Sequence, residues 1–379
     1  MNIKKSRWHV GVLVACLTLA LSGCLPGDEA EETLDLDDAP QFVAPSVQVE
    51  EKYYRGLNPF VASETRGSLE TYLPNFRLDS GRLELGLLEI AQDYYSTEEH
   101  LFREGQLITQ SELSSWLRKE SEDNPMGLNP SDRNERTLVH ILEHNYFNLK
   151  GDALNGVVIG LSLSPYYTKE VENEDGTITT QPDYETEEEL RTIGFDIANE
   201  VASRVRSKIN RLDERHTDTP IIIALYRLED SSSQVPGNFL SVGTVGPQDT
   251  QLDWQTINET YLFFPSGALN DFDEARETNY ADDFREYRRD VEEFYPNYVG
   301  IVGKGRFIDE QLVELTINAN TEYQSKTEVI QLTQFLGATA IDTFPEHVRL
   351  NIYTESVNEP QSIFIRPPGG EPSMHIYRE

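Results

Sequence analysis

The stretch Gly156-Val-Val-Ile-Gly-Leu-Ser-Leu163, followed by Thr186-Glu-Glu-Glu189, decides the fold. The first run is short, continuous and apolar, which is typical of a strand buried on both faces. In the second run, Thr186 and Glu189 have the spacing of a capping box at the start of a helix. One face of that helix is apolar and consists of Leu190, Ile193, Ile197, Val201, Val205 and Ile209. The sequence therefore predicts a buried strand and a long helix packed on its sheet.

Other strands of a first module are predicted on both sides of this helix. Asp175-Gly176 lies between Thr168–Val171 and Thr177–Thr180, which is the pattern of a β-hairpin. After the helix, Pro220–Tyr226 and Asn238–Val245 are apolar runs of strand length. The resulting order is hairpin, capped helix, hairpin.

The same order recurs near the end of the chain. Ser325-Lys-Thr-Glu328 is a second capping box. The apolar face of the helix that follows consists of Val329, Leu332, Leu336 and Ala340. Strands are predicted at Tyr298–Val302, Arg306–Ile308, Leu312–Ile317, His347–Tyr353 and Ser362–Ile365. We therefore predict an α+β fold with two tandem β-hairpin–α–β-hairpin modules, each a helix on an antiparallel sheet. Coincidence between two ordinary α+β stretches is the alternative.

The rest of the body is predicted to be mostly helical. Ser111–Leu117, capped by Thr109 or Ser111, and Leu138–Phe147 have helical patterns. Asp271–Phe294 predicts a charged helix whose aromatic side could pack across both modules. The predicted segments are a leader at 1–23, a tether at 24–52, a helical amino-terminal region at 53–150, a first module at 151–250, an acidic aromatic connector at 251–297 and a second module at 298–379.

Charge and cysteine content exclude several classes of function. The 379 residues include 66 acidic and 32 basic side chains, giving a formal net charge of −34. No continuous basic track can neutralise nucleic-acid phosphates, so we predict no nucleic-acid partner. The two cysteines are Cys16 and Cys24, so the rest of the chain has no disulfide, cysteine-bound metal or cysteine nucleophile.

The amino terminus has the pattern of a bacterial lipoprotein leader. Lys4, Lys5 and Arg7 precede the uncharged apolar stretch Val10–Leu21, which is too short to span a bilayer comfortably. Leu21-Ser22-Gly23-Cys24 matches the lipobox, in which signal peptidase II cleaves between Gly23 and Cys24. The Cys24 thiol then carries diacylglycerol, with acyl chains such as palmitate, and anchors the chain to the outer face of the cytoplasmic membrane. A secretory leader with an accidental cysteine is the alternative.

The residues after Cys24 predict a solvated tether. Asp28–Glu32 and Asp35–Asp38 are acidic runs without the periodicity of a packed element. Such a segment extends by charge repulsion and would lift the folded body off the membrane. A metal-binding acidic tract is the alternative.

Several short motifs occur in the same chain as the lipobox and the repeated order of elements. They are Tyr53-Tyr54-Arg55-Gly56, Arg66-Gly67 and Gly127-Leu128-Asn129-Pro130. With these motifs the chain resembles the CamS family of Gram-positive lipoproteins, the sex-pheromone precursors. The resemblance implies that the heptapeptide before the lipidated cysteine is trimmed from the leader and sensed by a peptide receptor of plasmid-bearing enterococci. It does not assign a role to the folded body.

The corresponding peptide in this chain is Leu17-Thr18-Leu19-Ala20-Leu21-Ser22-Gly23. It is short, apolar and without charged side chains, which suits passage through a membrane. Peptides of the family usually carry more aromatic residues or isoleucine, and this chain departs from that pattern. A leader with no further activity is the alternative.

Two groups of residues are candidates for a site in the body. His140-Ile-Leu-Glu143-His144 matches H-x-x-E-H, which on a helix could bind a metal and supply a general base. Tyr53, Tyr54, Arg55 and Arg66 could bind a ligand, or could dock the end of the tether. No motif predicts a cofactor.

The combined prediction is a membrane-anchored lipoprotein that is not an enzyme and that has no catalytic, metal or cofactor site. The partners expected are the membrane, the lipoprotein-processing enzymes and a receptor for the released peptide. A cell-surface ligand-binding or scaffold module with a groove between the two modules is one alternative. A metal-dependent hydrolase through the H-x-x-E-H helix is the other.

Overall fold

Two β-sheets organise the folded body. The structure is a computed structural model, and it describes residues 53–67, 75–131, 135–173, 175–212, 216, 218–265, 274–295, 299–322, 325–357 and 359–378. The described residues fall in one compact unit, Phe42–Glu379. The fold is mixed α+β with mostly antiparallel sheets, as predicted.

The first sheet has seven strands among the described residues. In spatial order they are β1 (Arg55–Gly56), β3 (His100–Glu104), β4 (Leu138–Asn148), β5 (Leu154–Leu163), β8 (Ile221–Arg227), β10 (Asn238–Val245) and β11 (Asp253–Thr256). The helices that accompany it are α1 (Ser80–Gln92), α2 (Gln110–Trp116) and α3 (Glu187–Ile209). Two small pairs complete this half: β2 (Phe76–Arg77) with β9 (Glu229–Asp230), and β6 (Tyr166–Glu172) with β7 (Ile178–Tyr184).

The second sheet has six strands in the part of the chain that the structure describes. They are β12 (Glu259–Phe264), β13 (Val299–Ile308), β14 (Gln311–Thr321), β15 (Arg349–Ser356), β16 (Glu359–Arg366) and β17 (Ser373–Ile376), in that spatial order. Its helices are α4 (Glu274–Phe294) and α5 (Lys326–Thr343).

Each sheet contains a parallel pair joined by a helical crossover, and the first sheet also contains the short parallel pair β1–β3, which corrects the prediction of antiparallel sheets. β5 and β8 run parallel, with α3 between them in the chain. β14 and β15 also run parallel, with α5 between them. A helix that returns the chain along the sheet places the next strand parallel to the last one, whereas hairpins make antiparallel neighbours.

Three helices begin with the capping boxes that the sequence indicates. The hydroxyls of Thr109, Thr186 and Ser325 each accept the backbone N–H of a glutamate three residues later. In each box that glutamate's carboxylate accepts the backbone N–H of the capping residue in return. The helix starts predicted at these positions are confirmed.

The amino-terminal region is not mostly helical, because Leu138–Phe147 is strand β4. This strand pairs antiparallel with β3 on one side and with β5 on the other. Its apolar residues pack in two hydrophobic cores. Ile141 packs in the core that contains α3, and Val139 packs in the core that contains α1. Short apolar runs are ambiguous between helix and strand, and the neighbouring strands supply the hydrogen bonds that decide it. Further along the chain, the strands predicted at Tyr298–Val302 and Arg306–Ile308 fall on the single strand β13, which begins at Val299, while Tyr298 lies outside the described residues.

The helix predicted at Asp271–Phe294 is observed as α4, and its aromatic side packs in the core of the second sheet. Phe284, Tyr287 and Val291 are buried there against α5 and β13. Phe264 and Phe284 stack with their ring centroids 5.2 Å apart. The described aromatic residues therefore belong to the second half, rather than crossing to the first.

The two halves meet at the buried carboxylate of Glu259, at the start of β12. Its side chain is 0% exposed and accepts hydrogen bonds from Arg82 on α1 and Arg306 on β13, each at 2.6 Å. It also accepts the backbone N–H of Phe239 at 2.7 Å. One acidic side chain therefore joins the helix of the first sheet to a strand of the second.

Candidate functional site

A cavity of about 400 Å³ lies between α1, strands β3 and β4, and the loop before α1. It is called the histidine pocket below. Its lining residues are Ser63, Thr65, Arg66, Gly67, Glu84, Leu88, Phe102, Glu104, His140, Leu142, Glu143 and His144. The volume falls within the range of small-molecule sites, which is roughly 300 to 1,000 Å³.

The strand geometry separates the residues of the H-x-x-E-H motif. Side chains alternate between the two faces of a strand, so His140 and His144 share one face and Glu143 points to the other. Along an extended strand, positions four residues apart are separated by about 13 Å. On a helix the two histidines would have been one turn apart, close enough to share a metal. The helix predicted for this motif is therefore wrong, and the alternative of a metal-dependent hydrolase loses the geometry on which it depended.

The carboxylate of Glu143 holds the loop that follows β3. Its oxygens accept the backbone N–H groups of Gln106, Leu107 and Ile108 at 2.9 to 3.2 Å. Burial raises the pKa of Glu143, although these hydrogen bonds lower it in part. This residue therefore fixes the backbone just before α2.

The two histidines are buried and lack hydrogen-bond partners at one ring nitrogen. His140 is 6% exposed and His144 is 4% exposed. The Nδ1 atom of each ring is buried without a partner. The ring of His144 packs edge-on against Phe102, with centroids 5.0 Å apart. Buried polar atoms are nearly always paired in folded proteins, so these two imidazoles keep unused hydrogen-bonding capacity.

Burial keeps both imidazoles neutral near pH 7. Loss of hydration lowers the pKa of His140 to about 4. The same effect lowers the pKa of His144 to about 4, although the nearby carboxylate of Glu104 raises it in part. A neutral imidazole has one donor and one acceptor nitrogen, so each ring can bind a hydroxyl or an amide.

The loop Phe60–Gly67 lines one side of the pocket and is held by Glu104. The carboxylate accepts the backbone N–H of Ser63 at 2.9 Å and the Nε–H of Arg66 at 3.1 Å. Arg66 also forms an ion pair with Glu104 and lies over the Phe60 ring, 5.1 Å from its centroid. Burial alone would raise the pKa of Glu104, but the hydrogen bonds from Arg66 and Ser63 lower it.

The other predicted binding residues lie apart from Arg66. Tyr54 donates its hydroxyl to the carbonyl of Tyr95 at 2.6 Å. Arg55 donates to the carbonyl of Glu98 at 3.2 Å, and β1 adds to the edge of the first sheet. Tyr53 is half exposed at the first described position. Tyr54 and Arg55 therefore attach the start of the body to the sheet, whereas Arg66 lines the histidine pocket.

Sequence reasoning missed most of this pocket. Phe102 and Glu104 come from β3 and Leu88 comes from α1, and no local motif connects them with His140 or His144. The one usable signal was the pair of histidines in an otherwise apolar run. Leu17 to Cys24, which include every lipobox, cleavage, lipidation and peptide position, lie outside the described residues.

A second cavity, of about 740 Å³, lies between α4 and α5. It is lined by Asp283, Glu286, Asp290, Glu293, Phe294, Phe335, Thr339, Asp342 and Thr343. Phe294 and Phe335 stack face to face, with centroids 3.9 Å apart. The groove therefore has an acidic rim around an aromatic pair.

Neither metal-binding clusters nor spanning helices are found within the described ranges. No three His, Cys, Asp or Glu residues there are grouped to hold a metal ion. None of the helices described combines the length and the apolar character needed to cross a bilayer.

A family model described as CamS sex pheromone cAM373 precursor matches residues 60–372, which is most of the chain. The chain belongs to the CamS family. A solved sex pheromone precursor from Lactobacillus salivarius subsp. salivarius UCC118 is 25% identical, with a TM-score of 0.74, and the match covers 89% of this chain and 99% of that one. The C-terminal domain of the sex pheromone staph-cAM373 precursor from Staphylococcus aureus has the same fold, with 24% identity, a TM-score of 0.64 and 79% and 97% coverage. No curated protein matches the chain.

Membership of the CamS family confirms the resemblance that the sequence motifs indicate. The histidine pocket lies within the matched range, as do all five described helices and every strand of the two sheets except β1 and β17.

Proposed function

We propose that this CamS-family chain is an exported lipoprotein, cleaved before Cys24 and held at the outer face of the cytoplasmic membrane by the lipid on that residue. The observation that carries the proposal is the lipobox Leu21-Ser22-Gly23-Cys24, placed after a basic start and an apolar stretch. A diacylated residue carries enough acyl chain for stable anchoring. The acidic segment after Cys24 then acts as the tether.

The cleaved leader is the source of the apolar heptapeptide Leu17–Gly23. This part of the proposal is supported by the family and by a relative that is described as a sex pheromone precursor. The peptide lies directly before the lipidated cysteine and has no charged side chain. Its partners are the lipoprotein-processing enzymes and a peptide receptor on another cell.

The folded body is, in this proposal, a non-catalytic ligand-binding module. The supporting observation is the histidine pocket, with two buried imidazoles that lack partners at Nδ1. The site lies within the first half, rather than in a groove between the two modules. The shared order of hairpin, crossover helix and hairpin in both sheets supports an origin by duplication.

Replacement of the lipidated residue tests the anchoring. Full-length wild type and the Cys24→Ser variant are expressed in a Gram-positive host, and their membrane and soluble fractions are compared. We expect wild type in the membrane fraction, and the variant unprocessed or released. Cys16→Ser, which changes the other cysteine, is the matched control and should stay with the membrane. Membrane-bound, normally processed Cys24→Ser would refute the anchor.

Mass spectrometry of spent medium tests the peptide. The heptapeptide Leu17–Gly23 is expected in medium from wild-type cells and absent from cells that produce Cys24→Ser, because lipidation precedes cleavage. Medium from wild-type cells that lacks this peptide would remove the pheromone from the proposal and leave the anchor standing.

A further inference from the structure

The inner wall of the histidine pocket has no unpaired charge, since the carboxylate of Glu143 accepts backbone N–H groups of the loop after β3. The inner wall consists of the half-buried side chains of Leu88, Phe102 and Leu142, together with the two imidazoles. Glu84 is exposed at the rim, and Arg66 and Glu104 neutralise each other there. A charged group in the interior would lose its hydration and meet no charged partner of opposite sign.

The polar atoms of the interior are suited to a hydroxyl. His140 and His144 present imidazoles from one face of β4, and both lack a partner at Nδ1. Next to His140 across the ladder is Ser162, a fully buried residue whose hydroxyl also has no partner. This side of the sheet therefore has spare donors and acceptors that a polar group of a ligand, or an ordered water, can use.

Four residues of the loop Phe60–Gly67 line the pocket, namely Ser63, Thr65, Arg66 and Gly67. Glu104 holds this loop through hydrogen bonds from Ser63 and Arg66. The same carboxylate lies opposite His144 in the ladder between β3 and β4, so the loop and this imidazole have a common neighbour.

We propose that the histidine pocket binds a small uncharged molecule with an apolar ring and a hydroxyl group, and that the hydroxyl forms a hydrogen bond with His144, whose own ring lies against Phe102. The ring packs against Phe102, Leu88 and Leu142. Anions and cations are both disfavoured, because a charge in the pocket would lose its hydration and meet no unpaired group of opposite sign. This inference rests on the proposed ligand-binding role of the body.

Three probes of similar shape and different charge test the inference. They are phenol, benzoate and benzylammonium, each titrated into the purified full chain labelled with ¹³C at the histidine rings. We expect phenol to shift the signals of His140 and His144 saturably, while those of His347 and His375 in the second half stay unchanged. The two charged probes should bind at least about tenfold more weakly, because burying their charge costs more than 1.4 kcal/mol.

Variants separate binding in the pocket from binding elsewhere. His144→Leu removes one hydrogen-bond partner and should weaken phenol binding about tenfold. Leu88→Trp fills the pocket from α1 and should abolish the phenol-dependent shift of the His140 signal. This variant tests the pocket independently if His144→Leu does not fold. His375→Leu, at the edge of the second sheet, is the matched control and should bind phenol like wild type.

The outcomes distinguish the uncharged class of ligand from the ligand-binding role of the body. Saturable shifts of His140 and His144 with similar midpoints for all three probes would overturn the uncharged class and leave a ligand-binding body. The absence of such shifts with every probe would overturn the inference and the ligand-binding role together. The anchoring at Cys24 is tested by fractionation and is unaffected by either result.

Discussion

At the scale of single residues, His140 and His144 couple the stability of the body to pH. Both imidazoles are neutral in the fold because loss of hydration lowers their pKa from 6.5 to about 4. Between these two values the unfolded chain binds more protons than the folded chain. The free energy of unfolding therefore falls as the pH drops from 6.5 towards 4. The charged groups near the rings are Glu104 on β3, Glu84 on α1 and Arg66 in the loop Phe60–Gly67.

Urea unfolding at two pH values measures this coupling. From about pH 7 to about pH 5, each histidine is expected to contribute a loss of about 2 kcal/mol in the free energy of unfolding. The double variant His140→Gln, His144→Gln should lose correspondingly less over the same interval. His347→Gln, His375→Gln is the matched control. If the free energy of unfolding changed equally with pH in wild type and in the first double variant, this would contradict the buried neutral state of His140 and His144.

Glu143 supplies a second prediction at this scale. Glu143→Gln replaces one acceptor oxygen by an amide that faces backbone N–H donors of residues 106–108. We expect a loss of about 3 kcal/mol in the free energy of unfolding, because a buried donor is left without an acceptor. Glu84→Gln, at the exposed rim, should change the stability by less than about 0.5 kcal/mol. Equal effects of the two substitutions would argue against the buried carboxylate.

At the scale of elements, the helix starts depend on local sequence and can be tested one at a time. Thr186→Ala and Ser325→Ala each remove a hydroxyl that accepts a backbone N–H, and each should lower the free energy of unfolding by about 1 kcal/mol. Thr192→Ala, inside α3, is the control and should have little effect, since its hydroxyl bonds only the Glu188 carbonyl. Chemical unfolding of the three variants measures the difference. Equal losses at Thr192 and Thr186 would contradict the capping role.

The sequence predicts α3 and α5 well because capping boxes and apolar faces are properties of neighbouring residues. Strand β4 was mistaken for a helix because its conformation depends on β3 and β5, which are distant in sequence. The same limit applies to the site. His140 and His144 were noticed as a motif, but their pocket depends on α1 and on the loop around Arg66. The parallel pairs β5–β8 and β14–β15 also depend on long-range register.

At the scale of the whole molecule, Glu259 joins the two halves. Two arginines and a backbone N–H meet its fully buried carboxylate. Arg82 and Arg306 also both contact Glu89, so the junction is a network of four charged side chains. Removal of the central charge would leave the two arginines without their main partner.

Glu259→Ala should therefore allow the two halves to unfold in separate transitions. We expect a loss of about 3 to 5 kcal/mol in the free energy of unfolding. In the chain that begins at Cys24, which lacks Trp8, the tryptophans are Trp116 and Trp254. Both lie in the first half, so their fluorescence reports on that half, while circular dichroism reports on both. The two signals should coincide in wild type and separate in the variant. Glu292→Gln, in the exposed pair with Arg288, should keep them coincident. Coincident transitions in Glu259→Ala would contradict the junction.

The whole molecule is also proposed to be attached to a membrane, and the proposed role depends on this attachment. The most direct measurement is the intact mass of the protein extracted from the membranes of its own cells. We predict a chain that begins at Cys24 and carries a diacylglyceryl group on that residue. A chain that retains residues 1–23, or that begins elsewhere without lipid, would contradict a lipid anchor at Cys24.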